Sequence, residues 1–560
     1  MNSSTRYDKI GQTFVSIFLL VFPLFVWPFR VSFTNDPFDI SVASKSPYVE
    51  LTANKMMFFV IALVAFAIML LFKYAFASDA PDERPKRSFA QWRKDNGFPW
   101  LYLPDLFLLL FFVGGVITWC VAPYGDLLNR DSQSAMWLGG GRFDGLAFYF
   151  AYALLYVLVA HFGQLRTDHV KYFSVVVLVM NLFAVLQLAG INVLQLYPPS
   201  THNGTYHDFL STIGNVDIMG GFLCLAAPLI GVGYVVFRLN MIYRSVFLVS
   251  HTLAVYVMFS MNVDVSVLTL IVLIAIIAPM LIRNQTYVKK MLELSWTIVG
   301  GWLLSSVIDY QYDPQALKTI TYVRFDKTAL VLLVVSVVLI GLWFLIPKKF
   351  SWKWLRRGFV IGECWLLVMG FCYFRFVYQP ADPPMPGLMN DLYELVRLNL
   401  SDTAGTHRIG IWRHALGMSQ ENPVFGTGCG TFAETFREYA AKVGYERYAD
   451  GSRILDFAHN EYVHHLCTLG LWGLLSYLGF LCSSFVFTLK YYCKNPRILV
   501  LGAAVLGYSI QVFFSFGVII VAPLFWLLMG LLMKEIRLTH AELIQKESAA
   551  QVPPSPETPC

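Results

Sequence analysis

The chain has 560 residues, of which 57% are hydrophobic and only 14% charged. A soluble domain of that length carries about 25% charged residues, so a soluble globular enzyme is excluded. The formal net charge of +6 is modest and points to no nucleic-acid partner, because the Lys and Arg collect in short loops beside apolar runs.

Those runs are far longer than the roughly 10-residue alternating segments of a barrel strand, and they predict an all-α polytopic membrane protein. In chain order about 14 transmembrane helices are expected: 11–33, 55–77, 102–122, 144–163, 172–193, 215–237, 245–261, 265–282, 293–308, 328–346, 358–377, 461–489, 498–519 and 521–536. The first reads as a retained span, since no small-residue cleavage site follows it. The short basic loops, such as 84–94, 283–290 and 348–357, should be cytoplasmic. The longer loops of mixed charge, 34–54, 123–143, 194–214, 309–327 and 378–460, should face outward, which places both termini in the cytoplasm. Four regions follow: N-terminal membrane helices 1–377, a large extracytoplasmic loop 378–460, C-terminal membrane helices 461–536, and a cytoplasmic, partly disordered tail 537–560 ending in Pro553-Pro554-Ser555-Pro556.

The 378–460 loop has content of its own. It opens on Pro380, Pro383, Pro384 and Pro386, which oppose helix. Short amphipathic helices are expected at 388–399, 407–419 and 431–443, forming a cap. Gly426-Thr427-Gly428-Cys429-Gly430 reads as a flexible turn. The nine cysteines are scattered without metal-ligand spacing and read as small buried side chains.

Chemistry with water-soluble groups has few places to occur in such a chain. His459-Asn460, followed nine residues later by Gly470-Leu471-Trp472-Gly473, stands where the large loop enters a span. A neutral imidazole there can accept a proton from a hydroxyl, although position alone favours an interfacial packing histidine. Asn460 suits a helix cap. His464 and His465 lie deeper, roughly 140–240° around the helix from His459, and read as structural. Arg408 and Trp412 are four residues apart and share a helix face, with Arg413 about 140° away. Guanidinium groups bind phosphate oxygens bidentately. Arg142, behind Gly139-Gly140-Gly141, offers a third cation at an outer boundary. Asp217, in Gly214-Asn215-Val216-Asp217, would stabilise a helix start or pair with one of these arginines.

The segment 405–480 resembles the signature region of the O-antigen ligase and O-antigen polymerase superfamily. The resemblance rests on Arg408-Ile409-Gly410-Ile411-Trp412, Asn422-Pro423, Gly426-Thr427-Gly428-Cys429-Gly430-Thr431-Phe432, and His459-Asn460 with Gly470-Leu471-Trp472-Gly473. It implies a GT-C-like membrane glycosyltransferase of the bacterial plasma membrane, acting on the outer face without metal or cofactor. The donor would be an undecaprenyl-diphosphate-linked glycan, and the acceptor a glycan, lipid or protein. On the matched motifs His459 would be the base and Arg408 the diphosphate ligand. Many ligases carry a second arginine where this chain has Asn262-Val263-Asp264-Val265-Ser266, so either Arg142 or Arg413 supplies that charge, or the motifs do not correspond there, or the chemistry has diverged. The competing expectation is a multi-span transporter of a small anion or solute, which should show matched halves with broken helices near the midplane.

Overall fold

In a computed structural model the structure describes residues 6–26, 51–76, 102–122, 136–139, 143–189, 209–261, 263–313, 318–323, 327–347, 351–380, 388–449 and 455–550, with the single positions 191, 193 and 196. Each of the apolar segments read from the sequence overlaps a helix among the described residues. By length and composition, nine helices among the described residues can cross a membrane, from Leu51–Lys73 to Glu461–Tyr491. Three others, Lys9–Val21, Leu146–Phe162 and Pro496–Gln511, are apolar but shorter. The protein is an all-α polytopic membrane protein with two small antiparallel hairpins added. One pairs Phe209–Leu210 with Gly214–Asn215, and the other pairs Ile308–Asp313 with Lys318–Val323.

The helix Val216–Val236 is the hub. Every residue of its apolar window is buried. Small residues make that possible by letting backbones approach closely where lipid supplies no hydrophobic drive between helices. A Cβ on Gly220 would lie 2.3 Å from Ser266 Oγ of the helix Asp264–Leu281, and one on Gly507 of Pro496–Gln511 would lie 2.1 Å from Cys224 O. Two further pairs complete the bundle, Leu103–Val121 against Glu461–Tyr491 and Leu146–Phe162 against Ala522–Ala550. By contrast Trp352–Cys372 contributes no buried residue, so the bundle's core forms without it.

One end of the bundle carries the cap. The helices Leu388–Arg397, Arg408–Ser419 and Phe432–Val443 form there. Ile411, Ala415, Met418, Phe432, Phe436 and Ala440 close a small core of their own, which is continuous with Cys467 of the Glu461–Tyr491 helix. The helices Leu146–Phe162, Val216–Val236, Glu461–Tyr491 and Ala522–Ala550 all begin at this end. The opposite end is held by Arg537, which pairs with Asp105 and lies 4.7 Å from the Tyr102 ring centroid. There too Arg244 pairs with Glu293 at 2.5 Å.

Candidate functional site

The helix Arg408–Ser419 starts abruptly. Gly405, Thr406 and His407 have φ of +60°, +59° and +68°, a left-handed run that two non-glycine residues adopt only against a steric cost. The run is held from behind: the Gly405 N–H donates to Asp391 Oδ1 at 3.0 Å, and Glu394 Oε2 accepts from Ser401 N–H and Oγ–H at 2.8 Å each. Burial works against ionisation of Glu394, but these hydrogen bonds and one from Asn390 prevail and hold its carboxyl below the ordinary value.

Thus presented, Arg408 reaches inward. Its Nε–H donates to Phe514 O at 2.9 Å, Nη1–H to Gly405 O at 3.2 Å, and Nη2 pairs with Asp217 Oδ1 at 3.5 Å. Among the described residues three of its five N–H donors are so engaged, which leaves two for a ligand. The guanidinium side chain is 15% exposed, so an anion meeting it is only partly screened by water. Asp217 sits in the first turn of Val216–Val236, below the cap made by Asn215 Oδ1, and it takes both roles expected of it. On the same face as Arg408, the Trp412 indole N–H donates to Ala458 O at 3.0 Å, and its ring lies 5.6 Å from Phe513 and 6.2 Å from Phe514.

His459 follows Ala458. Its φ is +49°, again left-handed, and its ring meets the edge of Phe516 at 5.3 Å. Asn460 is buried, and its Oδ1 accepts from the Tyr462 and Val463 N–H groups at 2.9 and 3.1 Å, capping the helix. The turn 512–517 therefore touches Arg408 through Phe514 O, Trp412 through two rings, and His459 through Phe516. Sequence reading placed that turn inside a span over 498–519. The helix in fact stops at Gln511 and the next begins at Ala522.

Arg413 is not brought to this group. It pairs with Asp402 and donates to Leu400 O at 3.0 Å, and its side chain is 56% exposed. Arg142 lies outside the described residues. Next to it in sequence, Phe143 N–H donates to Gly139 O at 3.2 Å, and Asp144 faces His464 Nε2 at 3.7 Å. Asp144, Glu461, His465, Tyr149, Tyr477 and Tyr508 line a small chamber beneath the cap. Its free space is of the order of one or two waters, too little for a sugar ring.

The glycine motifs interlock. The helix Glu461–Tyr491 is broken at Gly470, with φ +69° and ψ −169°. The break leaves carbonyls and N–H groups unpaired inside the bundle, where each must find another partner. The segment 423–428 supplies them. Thr427 N–H and Gly428 N–H donate to Cys467 O and Thr468 O at 3.0 and 2.9 Å, while Leu471 N–H and Trp472 N–H donate to Pro423 O and Val424 O at 2.8 and 3.1 Å. A Cβ on Gly470 would lie 2.2 Å from Val424 O, and one on Gly426 2.4 Å from Thr468 C. Gly426 to Gly430 is thus a docked segment, not the flexible turn expected. Gly470→Ala should lower the thermal midpoint of the solubilised protein sharply, since the backbone strain alone amounts to about 1–3 kcal/mol. Gly358→Ala, with nothing within 4 Å of the added Cβ, should leave it unchanged. Equal midpoints would contradict this account of the break.

Residues 319–478 match the family model described as O-Antigen ligase. Over that stretch the chain is similar to the O-antigen ligase family. None of the curated proteins matches the chain. The matched stretch takes in the cap, Arg408, Trp412, His459 and the break at Gly470, and it ends within the helix Glu461–Tyr491. Asp217 and the 512–517 turn lie outside the matched stretch, so the group around Arg408 is assembled from both the matched and unmatched parts of the chain.

Proposed function

We propose that the protein transfers a glycan from an undecaprenyl-diphosphate carrier to an acceptor hydroxyl on the outer face of the bacterial plasma membrane, as a ligase or polymerase of GT-C type. The observation that carries this reading is that Arg408 and His459, 51 positions apart in sequence, are anchored on one six-residue turn at a single end of the bundle. A cation with two N–H groups to spare and an imidazole on one strained residue are what displacement of a diphosphate requires. The diphosphate binds the guanidinium, helped by the positive end of the Val216–Val236 helix beside it.

The acceptor oxygen attacks the anomeric carbon as its proton passes to a neutral ring nitrogen of His459. The new carbon–oxygen bond forms while the bond to the carrier diphosphate breaks. The electron pair leaves with the diphosphate, whose growing charge Arg408 stabilises. Trp412, through Ala458, and Asn460, through its cap, fix His459 from both sides. Arg142 or Arg413 is the candidate second cation, of which Arg413 would first have to leave Asp402.

The purified protein, given an undecaprenyl-diphosphate-linked glycan and its acceptor, should release free undecaprenyl diphosphate in step with the new glycosidic product. The rate should be the same with and without EDTA, because the leaving-group charge is met by arginine. Failure to release the carrier lipid, or release that stops on chelation, would overturn the reading.

A further inference from the structure

We propose that Glu461 is a positioning residue that fixes the spacing between Arg408 and His459 by closing both ends of the 512–517 turn. The inference rests on the reading in which those two residues act together. Glu461 stands directly after the His459-Asn460 pair. Its own N–H donates to Val512 O at 2.9 Å, and its Oε2 accepts from the Gly517 N–H at 2.7 Å. One residue thereby ties the first and last members of the turn. Between them Phe514 O receives Arg408 and the Phe516 ring receives His459.

The helix is already capped by Asn460, so the Glu461 side chain is not needed for its first N–H groups. A carboxylate only 13% exposed is costly unless hydrogen-bonded. Here it has the Gly517 N–H and His465 Nε2, the latter at 3.5 Å. The identity of Gly517 fits the same role. A Cβ there would sit 3.1 Å from Glu461 Oε1 and 3.3 Å from Tyr508 Oη, crowding the carboxylate so that it must shift to keep the Gly517 N–H. Without the carboxylate the Gly517 end of the turn loses this tie, and the ring contacts of Phe513 and Phe516 must hold the groups it carries in place. A misplacement of about 1 Å at reacting groups lowers a rate by roughly 10²-fold.

The test pairs two readouts. Cells relying on each variant are assayed for glycan transferred per molecule of protein, using their own lipid-linked glycans. Each purified variant is assayed for hydrogen exchange across 512–517. Glu461→Ala should lower transfer by about 10–100-fold and speed exchange at the Gly517 amide. Glu461→Gln, whose amide oxygen still accepts from that N–H, should restore slow exchange and most of the transfer. Gly517→Ala should behave as Glu461→Ala does, and carries the test should Glu461→Ala not accumulate. Wild-type exchange in Glu461→Ala or Gly517→Ala, or a Glu461→Gln protein as inactive as Glu461→Ala, overturns the proposal. His459→Ala separates the two levels. If it transfers glycan normally, the functional reading fails, whereas the exchange data still decide whether Glu461 is the clamp.

Discussion

His459→Asn is expected to abolish glycan transfer while leaving the protein at its normal level in the membrane. The residue holds a φ of +49°, a region that asparagine tolerates better than most side chains. The substitution therefore removes the base without refolding the turn into Asn460, whose cap remains. An amide cannot take the acceptor proton at any working pH. Loss of a positioned general base lowers a rate by about 10²–10⁴-fold. Quantifying surface glycan and lipid-linked intermediate per molecule of protein should show the first vanish as the second accumulates. Transfer within a few-fold of wild type would show that His459 is only a packing residue against Phe516.

Arg408→Lys is the second large effect expected. Three N–H groups of one planar fork are committed to Phe514 O, Gly405 O and Asp217, at distances from 2.9 to 3.5 Å. A lysine ammonium has three donors on a flexible stem and cannot hold those partners and a diphosphate together. Transfer should fall by about 10²–10³-fold, the range seen when one preorganised donor to a developing negative charge is removed. Arg408→Ala goes further. It leaves Asp217 and Phe514 O short of a partner, which is worth about 1–3 kcal/mol, so the thermal midpoint should fall as well. Full transfer by the lysine variant would mean that charge alone suffices and that the fork's geometry is irrelevant.

Local features of the sequence were good guides, and long-range pairings were not. Apolar length located the helices because a bilayer allows few other spanning structures. The i,i+4 spacing of Arg408 and Trp412 put both on one face, and that face is the one turned to the 512–517 turn. The same arithmetic set Arg413 about 140° away, and it is indeed occupied elsewhere, by Asp402. Asp217 meets Arg408 across 191 positions, for which no local pattern exists. The 512–517 turn was hidden because Val512, Phe513, Phe514 and Phe516 keep the stretch as apolar as a helix, with only Ser515 and Gly517 to interrupt it. Likewise Gly470 was legible as a motif, but its mate in 423–428 was not. Two glycines that accommodate one another's backbones leave no periodic signal.

Photo-crosslinking with a photoreactive undecaprenyl diphosphate would test most directly whether one site brings carrier, cation and base together. The account predicts label in the peptides covering Arg408–Ser419 and 512–517, lost on competition with unlabelled undecaprenyl diphosphate and weakened in Arg408→Ala. Label confined to the opposite end of the bundle, around Arg244 and Arg537, would contradict it.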